Sequence, residues 1–432
     1  MDFRGRALAK EYILVVGAGI SGVTSALELA NDERLVYLVE REAAVGGYAA
    51  SLCCKATDVC SQCSACIVPE QIKGALAHPQ IMLLTNSTVE KVSGELGNFH
   101  VEIIQKPGFI DVERCIACGL CTEVCPTEPK AVYPHPVDAI PLYYVLDEKL
   151  CIRSKEEECE LCREKCPTNA IDFKRKPKKL ELSVSAIVVA TGFEVFDARR
   201  KGSLGYGRYP SVLTGLDLER IFNREGYLKL PSNGKKPQNI AFIQCVGSRD
   251  ESHGYCSQVC CKYAMKLARL IKYQSPDAQV TIFYIDLQTA GKGFAHFYQE
   301  YKESIRFVRG VPVEVSQTSS GELELRFEDI TQGKVSREIF NLVVLSVGIS
   351  PRKDSWDLAK ILGINLADDG FFDIKNPLDP NETNIDGIFL AGTCQGPRDI
   401  PDSIAHGMAA ASKVVQVLAD AASRVYGNQR EH

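Results

Sequence analysis

Eighteen cysteines in a 432-residue chain are the residues here that could do chemistry, and they come in groups. Two groups end alike: Cys115-x2-Cys118-x2-Cys121-x3-Cys125-Pro and Cys151-x7-Cys159-x2-Cys162-x3-Cys166-Pro. The first has the spacing of the bacterial iron–sulfur run, whose fourth cysteine ligates the other of two clusters. Crossed ligation then predicts Cys115, Cys118, Cys121 and Cys166 on one 4Fe–4S cluster. Cys125, Cys151, Cys159 and Cys162 fall on the second. Thiolates are soft, charged ligands that suit iron, and short spacings let backbone N–H groups face the sulfurs. Two tandem C-x3-C-P endings argue against zinc. A disulfide scaffold fits poorly, because such scaffolds are small and secreted.

Two further groups are less specific. Cys245-x10-Cys256-x3-Cys260-Cys261 reads as a metal site, or as buried structural cysteines. Cys53 and Cys54 precede Cys60-x2-Cys63-x2-Cys66. That triplet with Cys54 would hold a further 4Fe–4S cluster. Alternatively, Cys53 and Cys54 are thiols near a flavin, since Gly46 and Gly47 lie just before them.

The flavin expectation comes from Gly17-Ala-Gly19-Ile-Ser-Gly22. Gly17 allows a tight turn, Gly19 lets the backbone approach a pyrophosphate, and Gly22 lets helix and strand pack closely. The helix N-terminus supplies N–H donors to phosphates. Glu40 ends the next strand, where an acid binds ribose hydroxyls. Arg41, Gly46 and Gly47, and the later Ala190-Thr191-Gly192, complete a pattern of FAD-binding reductases. Gly392 and Thr393 form the last glycine turn.

These groups need elements to hold them. Residues 12–16 and 35–40 read as buried strands around a helix that ends near Ala30, a dinucleotide-binding unit. Residues 99–104 and 180–189 read as further strands, with a cysteine-rich domain inserted between them. A second Rossmann-like unit has strands at 239–244, 280–285, 305–308 and 341–347. After its first strand comes Cys245-Val-Gly247-Ser-Arg249-Asp250, so cysteines stand where a nicotinamide-binding glycine turn would be. Residues 384–393 form a last strand and turn. A helix then runs from about Asp402 to Leu418, its N-terminus facing the flavin pyrimidine edge. Cys394 reads as packing, and His406 as either a core histidine or a group that tunes flavin charge.

The fold class is therefore α/β: a flavoprotein of two dinucleotide-binding domains with an inserted ferredoxin-like α+β domain. The expected division is 1–106 for the first part of the FAD domain and 107–177 for the two-cluster insert. Residues 178–237 form the second FAD part, 238–350 the cysteine-bearing Rossmann-like domain, and 351–432 the C-terminal FAD part. Composition agrees with several units, at roughly 150 residues per domain. Net charge is −5, which argues against nucleic-acid binding. No run approaches the roughly 18 apolar residues of a membrane span. The start shows no signal-peptide pattern, so a cytoplasmic protein is expected, with membrane contact only through partners. The basic run Lys174–Lys179 reads as a solvated face at the end of the insert.

Taken together these residues resemble the A subunits of heterodisulfide reductases and their relatives, the flavoprotein component of the quinone-interacting membrane-bound oxidoreductase among them. Residues 242–263 carry the most specific part, and 281–297 and 383–403 also match. The resemblance implies a thioredoxin-reductase-like core and a 4Fe–4S cluster in an unusual arrangement on Cys245, Cys256, Cys260 and Cys261. It also implies electron passage between FAD and iron–sulfur chains to partner subunits, with flavin-based bifurcation in some members. Three clusters are expected, and a fourth at Cys53–Cys66. Larger archaeal members carry an extra N-terminal domain and a C-terminal ferredoxin domain, for which this chain has no room. An acid often follows the last glycine turn in this wider class, where this chain has Thr393. The rival readings are an NAD(P)H-dependent disulfide reductase and a non-catalytic scaffold that wires partners together.

Overall fold

The computed structural model describes residues 11–112, 114–134, 143–155, 158–288 and 293–428. Residues 1–10, within the first expected domain, and 289–292, within the matching stretch 281–297, lie outside them. The apolar run Glu11–Val16 is the middle strand of a five-stranded parallel sheet. Its neighbours are Arg34–Val39 and Ala186–Val189, and Ile81–Leu84 and Ile388–Leu390 form the edges. Parallel strands covered on both faces need continuous apolar residues, and Ile13, Leu14 and Val15 are fully buried. The helix Ile20–Leu29 covers one face together with the C-terminal helix Ile400–Asn428. The Ser25 hydroxyl donates to the Gly407 carbonyl at 2.9 Å where the two meet. The C-terminal helix starts before Asp402 and continues well beyond Leu418.

The second unit repeats the plan. Its parallel sheet runs Val212–Thr214, Leu342–Val347, Asn239–Val246, Gln279–Tyr284, Arg306–Arg309. This moves a boundary: the unit expected to begin at 238 already includes Val212–Thr214. Val212 pairs with Val343, and Leu213, Leu218 and Phe222 share a core with Ile240, Phe242 and Met265. The strand is three residues long, too short to show a period in the sequence. The helix after it, Gly215–Glu225, is fixed by a capping box between Thr214 and Asp217.

Each unit also carries a three-stranded antiparallel sheet. In the first unit the strands are Ser87–Glu95, Asn98–Gln105 and Lys178–Val184. The stretch read as one strand over 180–189 is two, Lys178–Val184 and Ala186–Val189, in different sheets. The chain changes sheet at Ser185, whose N–H donates to the Tyr12 carbonyl at 2.7 Å. Gln105 pairs with Lys178, and the cysteine-rich segment leaves and returns at that end. It contains a small hairpin, Val132–Pro134 with Tyr144–Leu146, and two one-turn helices, Leu120–Glu123 and Leu161–Glu164. The run Lys174–Lys179 is exposed. Within it Arg175 pairs with Asp111 at 2.7 Å and Lys179 with Glu102 at 3.0 Å. Among the described residues, no helix is long and apolar enough to cross a membrane.

Candidate functional site

The two units are joined by a pair of crossings, Glu194–Val195 and Ile349–Ser350, which pair antiparallel. Beside them lies a cavity of about 1080 Å³. The glycine turn forms one end. Gly17 has φ +106°, and a Cβ there would stand 2.4 Å from the Ala190 carbonyl oxygen. A Cβ on Gly22 would stand 1.9 Å from the Gly17 carbonyl oxygen, whereas Gly19 faces open space. Gly17 and Gly19 line the cavity; Gly22 lies behind its wall. Glu40, Arg41, Gly46 and Gly47 line it too, as do Ala190, Thr191, Gly192 and Thr393. Gly392 does not; its Cβ position would meet the Ser21 hydroxyl at 2.0 Å.

Glu40 is fixed by the donors it accepts from. One carboxylate oxygen takes the Ala18 N–H and the other the Glu42 N–H, each at 2.9 Å. Burial raises its pKa above the usual carboxylate value, against those two bonds. A carboxylate offers about four lone-pair sites, so ribose hydroxyls still have acceptors. The Thr191 hydroxyl is buried on the cavity wall and has no partner, which a bound group would supply. Arg41 pairs with Asp354. These features suit a dinucleotide: an open glycine turn, a helix N-terminus, an acid at the strand end and an unmatched buried hydroxyl.

His406 is a core residue that also shapes the last turn. Its Nδ1 accepts the Gly392 N–H at 2.8 Å, and burial lowers its pKa to about 4. Cys394 is buried and donates to the Val189 carbonyl at 3.1 Å, a packing role. Asp399, Ile400 and Ser403, at the start of the C-terminal helix, line the cavity.

The cysteines fall where the topology collects them. Cys115, Cys118, Cys121 and Cys166 line one small cavity in the insert. Cys125, from the first run, is not among them. Burial, and then the neighbouring Cys115 and Cys118, push the Cys121 thiol up to about 11. Burial, then Cys159 and Cys151, push Cys162 up to about 12. Burial opposes ionisation of Cys125 as well, but bonds from Thr127, Ala131 and Val132 hold its pKa below the usual thiol value. In the second unit, burial and then Cys261 push Cys245 up to about 11. Cys260 is raised by burial and by Cys261, Cys245 and Cys256. Thiols that raise one another's pKa lie close together, and metal ligation relieves that repulsion.

Several cysteine loops turn through left-handed residues that aim N–H groups inward. Ala117, Gln62, Ser64 and Gln258 all have φ between 52° and 60°. The Gln62 N–H donates to Cys60 Sγ at 3.4 Å, Gln258 to Cys256 Sγ at 3.3 Å, and Ala170 to Cys166 Sγ at 3.3 Å. Among the described residues, no three Cys, His, Asp or Glu side chains converge tightly enough for a single metal ion. A polynuclear cluster holds its thiolates further apart than one ion does. Cys54, Cys60 and Cys66 are exposed and Cys63 is half-buried. Cys53 points elsewhere: it is buried, and burial plus Glu219 push its thiol up to about 12.

Sequence reasoning missed several cavity residues. Lys55, Lys262, Lys266, Arg352 and Arg398 line it, and so do Cys63 and Cys260. The Lys266 ammonium donates to the Gln62 carbonyl at 3.1 Å, tying the first cysteine loop to the helix Cys260–Gln274. The Tyr48 and Phe193 rings meet at 4.9 Å, tilted by 33°, on the same wall. These positions come from segments scattered along the chain, and no local motif announces them. At the turn after Asn239–Val246, Gly247 has the Phe196 ring against its Cα, a Cβ there meeting it at 2.1 Å.

Comparison with known proteins agrees with this layout. Residues 109–129 match a 4Fe–4S binding domain, and residues 15–53 an NAD(P)-binding Rossmann-like domain. The A subunit of the H(2):CoB-CoM heterodisulfide,ferredoxin reductase of Methanothermobacter marburgensis is 41% identical over 421 residues. That alignment covers 93% of this chain and 63% of the relative. The iron-sulfur A subunit of the CoB--CoM heterodisulfide reductase of Methanocaldococcus jannaschii is 40% identical, covering 95% and 65%. The chain thus spans less than two thirds of these relatives. Thioredoxin reductases of Lactococcus lactis and T. acidophilum share the fold, each with TM-score 0.52. They are 16% and 13% identical, and the matches cover 95% of this chain and 100% and 99% of theirs.

Proposed function

We propose that this chain, a relative of the A subunits of CoB–CoM heterodisulfide reductases along nearly its whole length, is an electron-transferring iron–sulfur flavoprotein. It holds one FAD in the large cavity and 4Fe–4S clusters on its cysteine sets. It works as an oxidoreductase component in the cytoplasm, beside the other subunits of a heterodisulfide-reductase-like complex. The observation that carries this reading is the cavity wall: Cys260 from one set and Cys63 from another both line the dinucleotide cavity. Electron carriers placed there would meet the flavin without intervening layers.

FAD, when bound, supplies exchange between two-electron and one-electron chemistry. The chain's own groups do the rest. Gly17, Gly19 and the first helix would receive the pyrophosphate, and Glu40 the ribose. Tyr48 and Phe193 give the wall an aromatic face for a flat ring. The start of the C-terminal helix, with Arg398 beside it, lines the same cavity and would offer N–H groups and positive charge to a reduced flavin. Asp147 and Lys149, just before Cys151, also reach the cavity, and Lys149 pairs with Glu42 at 3.1 Å. The insert therefore abuts the Glu40 end of the site.

A fourth cluster on Cys54, Cys60, Cys63 and Cys66 is favoured by the left-handed Gln62 and Ser64 and by the N–H bond to Cys60. The rival nicotinamide-dependent reductase is disfavoured by the Phe196 ring packed on the Gly247 turn. Metal and flavin analysis after anaerobic purification tests the reading. One FAD with about 16 iron atoms means four clusters, and about 12 means three. Fewer than about 8 iron atoms in protected samples overturns the reading. Rapid bleaching of the flavin by NADH or NADPH in the isolated chain would return the reductase to first place.

A further inference from the structure

Arg249 stands in a strained place for a non-glycine residue, with φ +59°, four residues beyond Cys245, itself at φ +60°. The loop is held by several bonds. The Arg249 N–H donates to the Tyr255 carbonyl at 3.1 Å, and the Ser248 hydroxyl to the same carbonyl at 2.8 Å. The Ser257 hydroxyl takes the Ile349 N–H at 2.9 Å, anchoring the loop to the crossing between the units. The guanidinium makes a two-pronged pair with Asp286, one prong at 3.2 Å. Its charge favours the Cys245 thiolate, four residues before it. Arg249 acts likewise on Cys261, whose Sγ lies 4.0 Å from the Asp286 backbone carbonyl. Arg249 bears on both thiols and Asp286 on Cys261.

We propose that Arg249 and Asp286 form an opposed charge pair that sets the reduction potential of the cluster on Cys245, Cys256, Cys260 and Cys261. Arg249 is a positioning residue, and the inference rests on the reading of those four cysteines as cluster ligands. One-electron reduction adds one negative charge to the cluster, and no bond forms or breaks. A guanidinium held beside the ligand sulfurs by Asp286, whose own carbonyl lies 4.0 Å from Cys261 Sγ, stabilises that added charge, and the partly exposed Asp286 carboxylate offsets it. Arginine suits the place because its planar fork grips the Asp286 carboxylate at two points and it stays charged at any working pH. Cys260 lines the flavin cavity, so this potential governs how readily the cluster takes one electron from the flavin.

The test is an EPR-monitored redox titration of the full FAD-loaded chain, with iron content measured for every variant. Cys256→Ser identifies the signal by its disappearance. Arg249→Gln is expected to lower that midpoint by about tenfold in the reduction equilibrium, which is about 59 mV for one electron. Asp286→Asn, which keeps an acceptor for Arg249 but removes the anion, is expected to raise it. Arg249→Lys restores most of the loss. A general loosening of the loop would move both variants the same way, so shifts of equal sign overturn the proposal. An unchanged midpoint in Arg249→Gln at full iron also overturns it. If Arg249→Gln sheds iron, the sign of the Asp286→Asn shift decides alone. A Cys256→Ser chain that keeps all its iron and every signal removes the ligand reading itself, and this inference with it.

Discussion

Lys55 and Glu219 are the buried ion pair of this molecule's middle, and breaking them should be costly in a particular pattern. Their side chains are 2% and 1% exposed and meet at 2.5 Å. Lys55 also donates to the Cys53 carbonyl at 3.0 Å, and a Glu219 oxygen accepts the Cys53 N–H at 2.7 Å. The pair therefore clamps the first cysteine loop onto the helix Gly215–Glu225 of the second unit. In Lys55→Met, Glu219 is left as an uncompensated charge beside the buried Cys53 and Tyr263. Removing one partner of such a pair costs about 3–5 kcal/mol. Glu219→Leu should cost about the same from the other side. Replacing both by apolar residues leaves no charge behind, and the chief remaining loss is the unpaired Cys53 N–H, about 1–3 kcal/mol. The double variant should then be more stable than either single one. Denaturant midpoints of the anaerobic FAD-loaded chain, read by circular dichroism and flavin fluorescence, measure this. A double variant that costs the sum of the singles refutes the reasoning. So does a Lys55→Met penalty below about 1 kcal/mol, the value of an exposed pair.

Other outcomes follow from single contacts. Gly22→Ala would drive a Cβ to 1.9 Å from the Gly17 carbonyl oxygen; if the overpacking costs about 1–3 kcal/mol, FAD affinity should fall roughly tenfold to a hundredfold, measured by flavin retention on dilution. Cys166→Ser should remove about four iron atoms and the EPR signal also lost in Cys118→Ser, because these two cysteines share a cavity; loss of the signal tied to Cys159 instead would argue against crossed ligation. His406 has its folded pKa lowered from 6.5 to about 4, so between those values the unfolded chain binds more protons than the folded one. Its contribution is complete above about pH 6.5 and declines as pH falls toward 4. In His406→Gln, which keeps an acceptor for Gly392, urea midpoints between pH 5.0 and 7.5 should vary less than in the parent chain.

Local chemistry is written in local spacing. The cysteine runs, the turn Gly17–Gly22 and the acid Glu40 could be picked out as candidates because each motif lies within one short stretch of chain. Their conformations, such as the φ +106° of Gly17, follow from the residues themselves. The α/β class was legible too, since buried parallel strands must be continuously apolar. What depends on distant segments meeting was not legible. The three-residue strand Val212–Thr214 joins the second sheet because Leu342–Val347 offers it an edge, and no period in three residues could say so. The break at Ser185 is decided by which of two sheets each half can pair with. The cavity's basic residues, Lys55, Lys266 and Arg398, come from three unrelated stretches and look like ordinary surface charges in the sequence. That Cys63 and Cys260, nearly two hundred positions apart, share one wall was decided by tertiary packing alone. Residue types fix what each group can bind; only the closing of two units on each other fixes what those groups can reach.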